Sequence, residues 1–223
     1  MRLAVILREG QVVAAGMLHD MLDEWKAADR VLGYLAEAMP YNTDPDQVLL
    51  KAAALNHLYQ TRVFALHAMA THIASVFSAQ PSYEDECSLV ERLAHLEASG
   101  REHESFAAKH CHFFVDTAHF PLYDKYARET VRLHLGRGNY HCKHTNQTYH
   151  NFYSDVASLR AELTFDPSVR ELDHYLWLRG QSEAYNEGKP VGAEVANLFE
   201  VACHDPSVHR LLSEMCVHAG SPR

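Results

Sequence analysis

Lys109 and Asp124 are the two residues of this chain best suited to do chemistry together. Lys109 sits in Ser105-Phe-Ala-Ala-Lys-His-Cys-His-Phe-Phe114, the most apolar helical run of the sequence. A lysine is rarely buried unless it is paired or functional. Burial strips water from the ammonium, lowers its pKa and makes the free amine a usable nucleophile. Asp124 follows in Phe120-Pro-Leu-Tyr-Asp-Lys-Tyr126. On one continuous helix the two residues would stand roughly 22 Å apart, at about 1.5 Å per residue. Pro121 disfavours that continuation. The expected path turns back, starts a new helix at Asp124 and aims its carboxylate at the amine. Plainer readings stand beside this one. An Asp just after a proline is often a helix N-cap, and a lysine in an apolar helix often reaches out to water.

Two histidine clusters offer different chemistry. His110-Cys111-His112 and His141-Cys142-Lys143-His144 are rich in zinc-competent side chains. Neighbours at i and i+2 on a helix point apart, so His110 and His112 cannot both ligate one ion from a regular helix. His141 and His144 have compatible spacing. No H-E-x-x-H motif is present. The expectation is therefore no metal and no cofactor, with the histidines solvated or hydrogen-bonded. Five cysteines, Cys87, Cys111, Cys142, Cys203 and Cys216, are odd in number and never at C-x-x-C spacing. That argues against a disulfide framework, a zinc ribbon or a four-cysteine cluster, and reduced thiols fit a reducing compartment.

The elements that must position these groups read as helices almost throughout. Leu3 to Ala15 has two apolar runs around Arg8-Glu9-Gly10-Gln11, which suggests a small N-terminal β hairpin. Met17 to Met39 has apolar residues at three and four spacing and stops at Pro40. Thr43 or Asp44 caps a helix with Pro45 at its first position. That pattern runs to about Phe77, with a break near Tyr59 to Thr61. Cys87 to Ala98 forms another helix, ended by Gly100. Glu104 to Val115 is apolar on more than one face. Asp124 to Leu135 is helical and ends at Gly136. Residues 145–163, 168–180, 191–203 and 206–218 complete the set, with Asp166-Pro167 and Asp205-Pro206 as punctuation. The fold class is all-α, in two lobes, with a minor hairpin. Leu172, Tyr175, Leu176 and Trp177 are expected in the core, and Tyr149, Phe152 and Tyr153 are read as core packing before base stacking.

Composition narrows the classes. The chain has 223 residues, 47% hydrophobic and 22% charged, which is ordinary globular composition and excludes disorder or collagen. No apolar run approaches the roughly 20 residues of a membrane helix, and Leu3 to Leu7 is too short for a signal-peptide core. A cytoplasmic protein with no membrane partner is expected. Formal net charge is −9, against a surface coated for nucleic acid. The distribution is uneven: Arg101 to His144 holds seven Lys or Arg against five acids, and seven of the 17 histidines.

The segment from Gly100 to Arg128 resembles the hairpin-lysine-aspartate region of the helix-hairpin-helix DNA glycosylases, the superfamily of endonuclease III and 8-oxoguanine glycosylase. Ser105-Phe-Ala-Ala-Lys109 and Pro121-Leu-Tyr-Asp124 stand where that family has its lysine helix and its aspartate. Upstream, Leu50-Lys-Ala-Ala-Ala-Leu-Asn-His-Leu-Tyr-Gln60-Thr61 resembles the helix and turn carrying a glutamine-threonine pair. Arg101-Glu-His-Glu104 stands in place of the family's hairpin glycines. The likeness covers roughly residues 45 to 135. It implies a two-lobed unit, with a central lobe over about 45–135 and a second lobe from 1–44 and 136–223.

The resemblance also implies DNA base excision. A damaged or modified base is flipped into a pocket between the lobes. Lys109 attacks C1′, expels the base and leaves a Schiff base open to strand cleavage. Asp124 positions the nucleophile and stabilises positive charge growing on the sugar. Gln60 stands near the duplex gap, and His110, Phe113 and Tyr123 are candidates to contact the substrate. DNA is the implied partner. Two other readings remain open: a catalytically silent nucleic-acid or protein interaction module, and a histidine-based metal-dependent hydrolase.

Overall fold

A computed structural model describes residues 3–79, 85–97, 100–137 and 148–216. Helices α1 (Glu9–His19), α2 (Asp23–Ala38), α3 (Pro45–Leu58), α4 (Leu66–Ala79) and α5 (Glu86–Ala94) lead to a two-stranded antiparallel ribbon, β1 (His95–Leu96) and β2 (Arg101–Glu102). Then follow α6 (Glu104–Phe114), α7 (Lys125–Leu135), α8 (Thr148–Ala161), α9 (Val169–Asn186), α10 (Ala193–Ala202) and α11 (Pro206–Cys216). The described residues are thus all-α with one small ribbon.

The ribbon is not where the apolar spacing at the N-terminus put it. Leu3 to Ala15 forms no hairpin: α1 begins at Glu9. The Gln11 side chain accepts the Arg8 backbone N–H at 3.0 Å, half of a capping box. Val12, Ala15 and Leu18 then repeat at helical spacing and are buried, where α1 packs on α9 and α11. Two short apolar runs fit either period, and those tertiary partners select the helix. The residues before α1 attach elsewhere, with the Ala4 N–H donating to the His134 carbonyl at 2.8 Å.

Other boundaries follow local chemistry. Asp44 caps α3, its carboxylate accepting from the Asp46 N–H at 2.9 Å, with Pro45 at the first position. Met17 to Met39 is broken at residues 20–22, so it holds the end of α1 and all of α2. The helix expected over Cys87 to Ala98 ends at Ala94, because His95 and Leu96 pair with Glu102 and Arg101 instead. Gly100, at φ +59°, makes that reversal possible. His95 Nδ1 and Glu102 Oε1 meet across the ribbon at 2.6 Å. Gly136, at φ +64°, terminates α7 in a left-handed cap. Ser168 and Glu171 start α9 with a capping box.

The helices form two compact units. One comprises Ala28–Tyr123 and Thr145–Tyr153, the other Met1–Ala27, Asp124–His144 and Ser154–Arg223. In the first, α3 packs on α4 and α6, and α5 on α4 and α6. Leu55, Met69, Ile73, Val90, Leu93 and Phe106 fill its interior. Burying each such side chain fully stabilises by about 1.5–3 kcal/mol. In the second, α9 is central, packed against α1, α7, α10 and α11. Leu172, Tyr175 and Leu176 are buried as expected, whereas Trp177 is half-buried and meets Trp25 edge-on at 4.6 Å. Gly180 lets α7 approach α9, since a Cβ there would stand 2.6 Å from the Tyr126 carbonyl oxygen.

Candidate functional site

Helix α6 carries Lys109, His110 and Phe113, and its two faces have different fates. Lys109 is 5% exposed. Its Nζ donates to Ser105 Oγ at 2.8 Å, to the Ser105 carbonyl at 3.4 Å and to the Tyr123 carbonyl at 3.1 Å. The chain after α6 therefore does turn back. His112 on the same helix makes that turn firm, its Nδ1 lying 2.7 Å from the Phe120 carbonyl oxygen. Tyr123 is buried, with its ring edge-on to Tyr149 at 5.9 Å and to Phe152 at 5.4 Å. Tyr149 and Phe152 are themselves fully buried, so these aromatics pack as core. The next residue, Asp124, caps α7, its Oδ1 accepting the Ala127 N–H at 2.9 Å.

Phe113 lies one turn after Lys109 and so shares its face of the helix. Its ring is half-buried and tilts against Tyr59 at 5.3 Å. Tyr59 ends α3, its hydroxyl donating to Asp29 at 2.6 Å, and Gln60 follows on an exposed loop. Gln60 and Arg62 both adopt left-handed backbone, at φ 49° and 59°. For residues other than glycine this conformation costs on the order of 1–3 kcal/mol each and persists only where surroundings enforce it. Asn56 does the enforcing. Its Oδ1 accepts from Thr61 Oγ1 and from the Val63 N–H, both at 2.8 Å, and its Nδ2 donates to the Val63 carbonyl at 3.1 Å.

His110 points elsewhere. It is fully buried between Phe106 and Phe114, and neither ring nitrogen has a hydrogen-bond partner among the described residues. Burial first, and the charge of Lys51 second, push its pKa down to about 3. His110 is thus a neutral ring in the core at ordinary pH.

Lys51 is a buried lysine that the sequence reading passed over. It has no exposed surface. Its Nζ donates to Asn42 Oδ1 at 2.8 Å and to the Tyr41 carbonyl at 2.9 Å, and lies 5.2 Å from the centroid of the Phe114 ring. Asn42 Nδ2 in turn donates to the Phe114 carbonyl at 2.9 Å. Desolvation lowers the Lys51 pKa to about 8. The available signal was a lone lysine flanked by Leu50 and three alanines.

The histidines divide differently from their spacing in sequence. His141 and His144 lie outside the described residues. His19 and His174, which the sequence did not single out, stack at 3.6 Å between ring centroids with planes 11° apart. The α1 end thereby meets α9 beside Trp177.

Comparison with known proteins adds a relationship and no activity. Residues 13–118 match the family model described as HI_0787_N, an N-terminal domain. The match takes in Gln60, Lys109, His110 and Phe113 and ends before Tyr123 and Asp124. An uncharacterized protein of Haemophilus influenzae is 30% identical over 129 residues, which is 56% of this chain and 62% of the relative. The chain thus spans less than two thirds of that relative's length. No solved structure matches. No helix among the described residues is long and apolar enough to cross a membrane.

Proposed function

We propose that this chain excises bases from DNA, with Lys109 as the amine nucleophile. The observation that carries the reading is the placement of Lys109. A buried amine on α6 is tied to the carbonyl of Tyr123, the residue immediately before Asp124. The order of helix α5, two-stranded ribbon and helix α6 ahead of that amine supports the same reading. Once deprotonated, Nζ bonds to C1′ as the bond from C1′ to the base breaks, and the departing base takes up a proton. Opening of the C1′–O4′ bond then leaves an imine. Asp124 is the carboxylate in this reading, favouring positive charge on the sugar. Ser105 and the Tyr123 carbonyl orient the amine.

The test is borohydride trapping on duplex DNA carrying an abasic site or a modified base. A covalent adduct that forms with the native chain and is absent in Lys109→Gln supports the reading. Absence of any adduct from a folded, DNA-bound native chain overturns it.

A binding module without chemistry is favoured by one feature. The ribbon before α6 presents Glu102 and exposed Arg101 where a glycine turn would otherwise meet a phosphate, and Glu102 is already engaged by His95. DNA binding with no adduct would select that module.

A further inference from the structure

We propose that His112 is a positioning residue for the Lys109 amine. As the Nδ1–H tautomer it fixes the register in which residues 120–123 return along α6, and so sets which carbonyl meets Lys109 Nζ. This role presupposes Lys109 as the nucleophile of the reading above, yet the placement behind it can be measured without DNA. His112 lies three residues after Lys109, so the two side chains leave the same side of α6 one turn apart. Each ends on a carbonyl of the returning chain. His112 Nδ1 lies 2.7 Å from the Phe120 oxygen, and Lys109 Nζ lies 3.1 Å from the Tyr123 oxygen. The two carbonyls are three residues apart, as the two side chains are, and are met in the opposite order. The contacts are thus successive rungs between segments that run in opposite directions. At about 3.3 Å per residue of extended chain, a slip of one residue would carry the Tyr123 carbonyl out of hydrogen-bond reach of Nζ.

Of the two rungs, that of His112 is the stiffer. Its ring turns on two torsions only, whereas Lys109 reaches out on a flexible four-carbon stem. His112 has no exposed surface, and neither has Phe120, whose carbonyl it holds. The side-chain bonds of the turn itself act over a shorter range. Asp116 accepts the Ala118 N–H at 2.8 Å and meets His119 Nδ1 at 2.8 Å. These bonds join residues two and three apart, so they shape the turn without fixing where the returning chain lies on α6. A carbonyl only accepts, so His112 Nδ1 must carry the proton. Burying an imidazole costs free energy that its hydrogen bond offsets. An apolar ring would fill the same place without that cost, so the N–H donor is what this position uses.

The experiment compares the native full chain with His112→Phe and His112→Asn. Phenylalanine keeps a buried ring and removes the donor. Asparagine gives up the ring, but its amide nitrogen stands where Nδ1 does, two bonds beyond Cβ. A packing role ranks His112→Phe above His112→Asn, and a register role ranks them the other way. In single-turnover borohydride trapping on abasic duplex, His112→Phe is expected to slow adduct formation about a hundred-fold at unchanged DNA affinity. His112→Asn is expected to recover most of that rate. Without DNA, NMR of 13C-lysine-labelled protein reads the same placement. The two Lys109 Hε protons are expected to be inequivalent in the native chain and in His112→Asn, and to merge in His112→Phe. Long-range 1H–15N spectra at pH 8 are expected to show the proton on His112 Nδ1. Native Lys109 signals in a folded His112→Phe overturn the proposal, and so does a proton on Nε2. Should His112→Phe not fold, merged Lys109 signals in His112→Asn overturn it instead. A native chain that binds abasic DNA and traps none sinks excision alone, because the Lys109 signals still decide the role of His112. Adduct formation at the native rate in folded His112→Phe sinks the positioning role alone.

Discussion

Lys51 and His110 show how burial sets the chemistry of single residues in this protein. The folded chain holds Lys51 at about 8, below its ordinary 10.5. Between those values the unfolded chain binds a proton that the folded chain does not, so this group makes stability rise as pH rises from about 8 to about 10.5. The full effect is at most about 3.4 kcal/mol, for a shift of about 2.5 at 1.36 kcal/mol per pH unit. Cys87, pushed up to about 12 by burial, acts in the opposite sense above its ordinary value. The comparison must therefore be made against a Lys51 variant. In urea unfolding at pH 8 and pH 10, native protein is expected to gain stability relative to Lys51→Met. An identical pH dependence in the two would show that the Lys51 ammonium is not desolvated. His110 carries the parallel cost, since a buried ring with both nitrogens unmatched loses on the order of 1–3 kcal/mol.

Helix α7 poses the question of element against chemistry most sharply. Asp124 is both its N-cap and the carboxylate of the proposed reaction. The two roles separate by substitution. Serine caps a helix about as well as aspartate, whereas alanine costs about 1 kcal/mol. Asp124→Ser is expected to melt close to the native temperature and to lose adduct formation on modified-base DNA. Asp124→Ala is expected to lose both. Native trapping yield in Asp124→Ser would reduce Asp124 to a cap. Helix-level features of this kind were legible beforehand wherever the signal is local. Asp44 with Pro45, the break after Leu58, and Gly136 were readable because caps and left-handed turns depend on neighbouring residues alone. The ribbon before α6 was not readable. His95-Leu96 continues the helical pattern of α5, and only its pairing with Arg101-Glu102 stops the helix.

At the scale of the whole molecule, charge governs any encounter with DNA. Net charge is −9 with histidine neutral, and there are 17 histidines. Exposed histidines gain charge as pH falls toward 6. His95 does so early, because its hydrogen bond to Glu102 raises its pKa. Buried His110 takes no part. DNA affinity at about 50 mM salt is therefore expected to tighten from pH 7.5 to pH 6.0. A pH-independent affinity would show that the contact surface lies away from these histidines. The composition and periodicity determined by themselves a helical, globular chain, the sites of most helix starts, and the apolar setting of Lys109, since these follow from local spacing and side-chain chemistry. Tertiary structure decided that the N-terminal segment is a helix. It decided that Lys109 reaches back to the Tyr123 carbonyl and that Lys51 is sealed beneath Asn42. It also brought His19 against His174. Each of these depends on which distant residues come into contact, and contacts between residues far apart in the chain leave no periodic mark in the sequence.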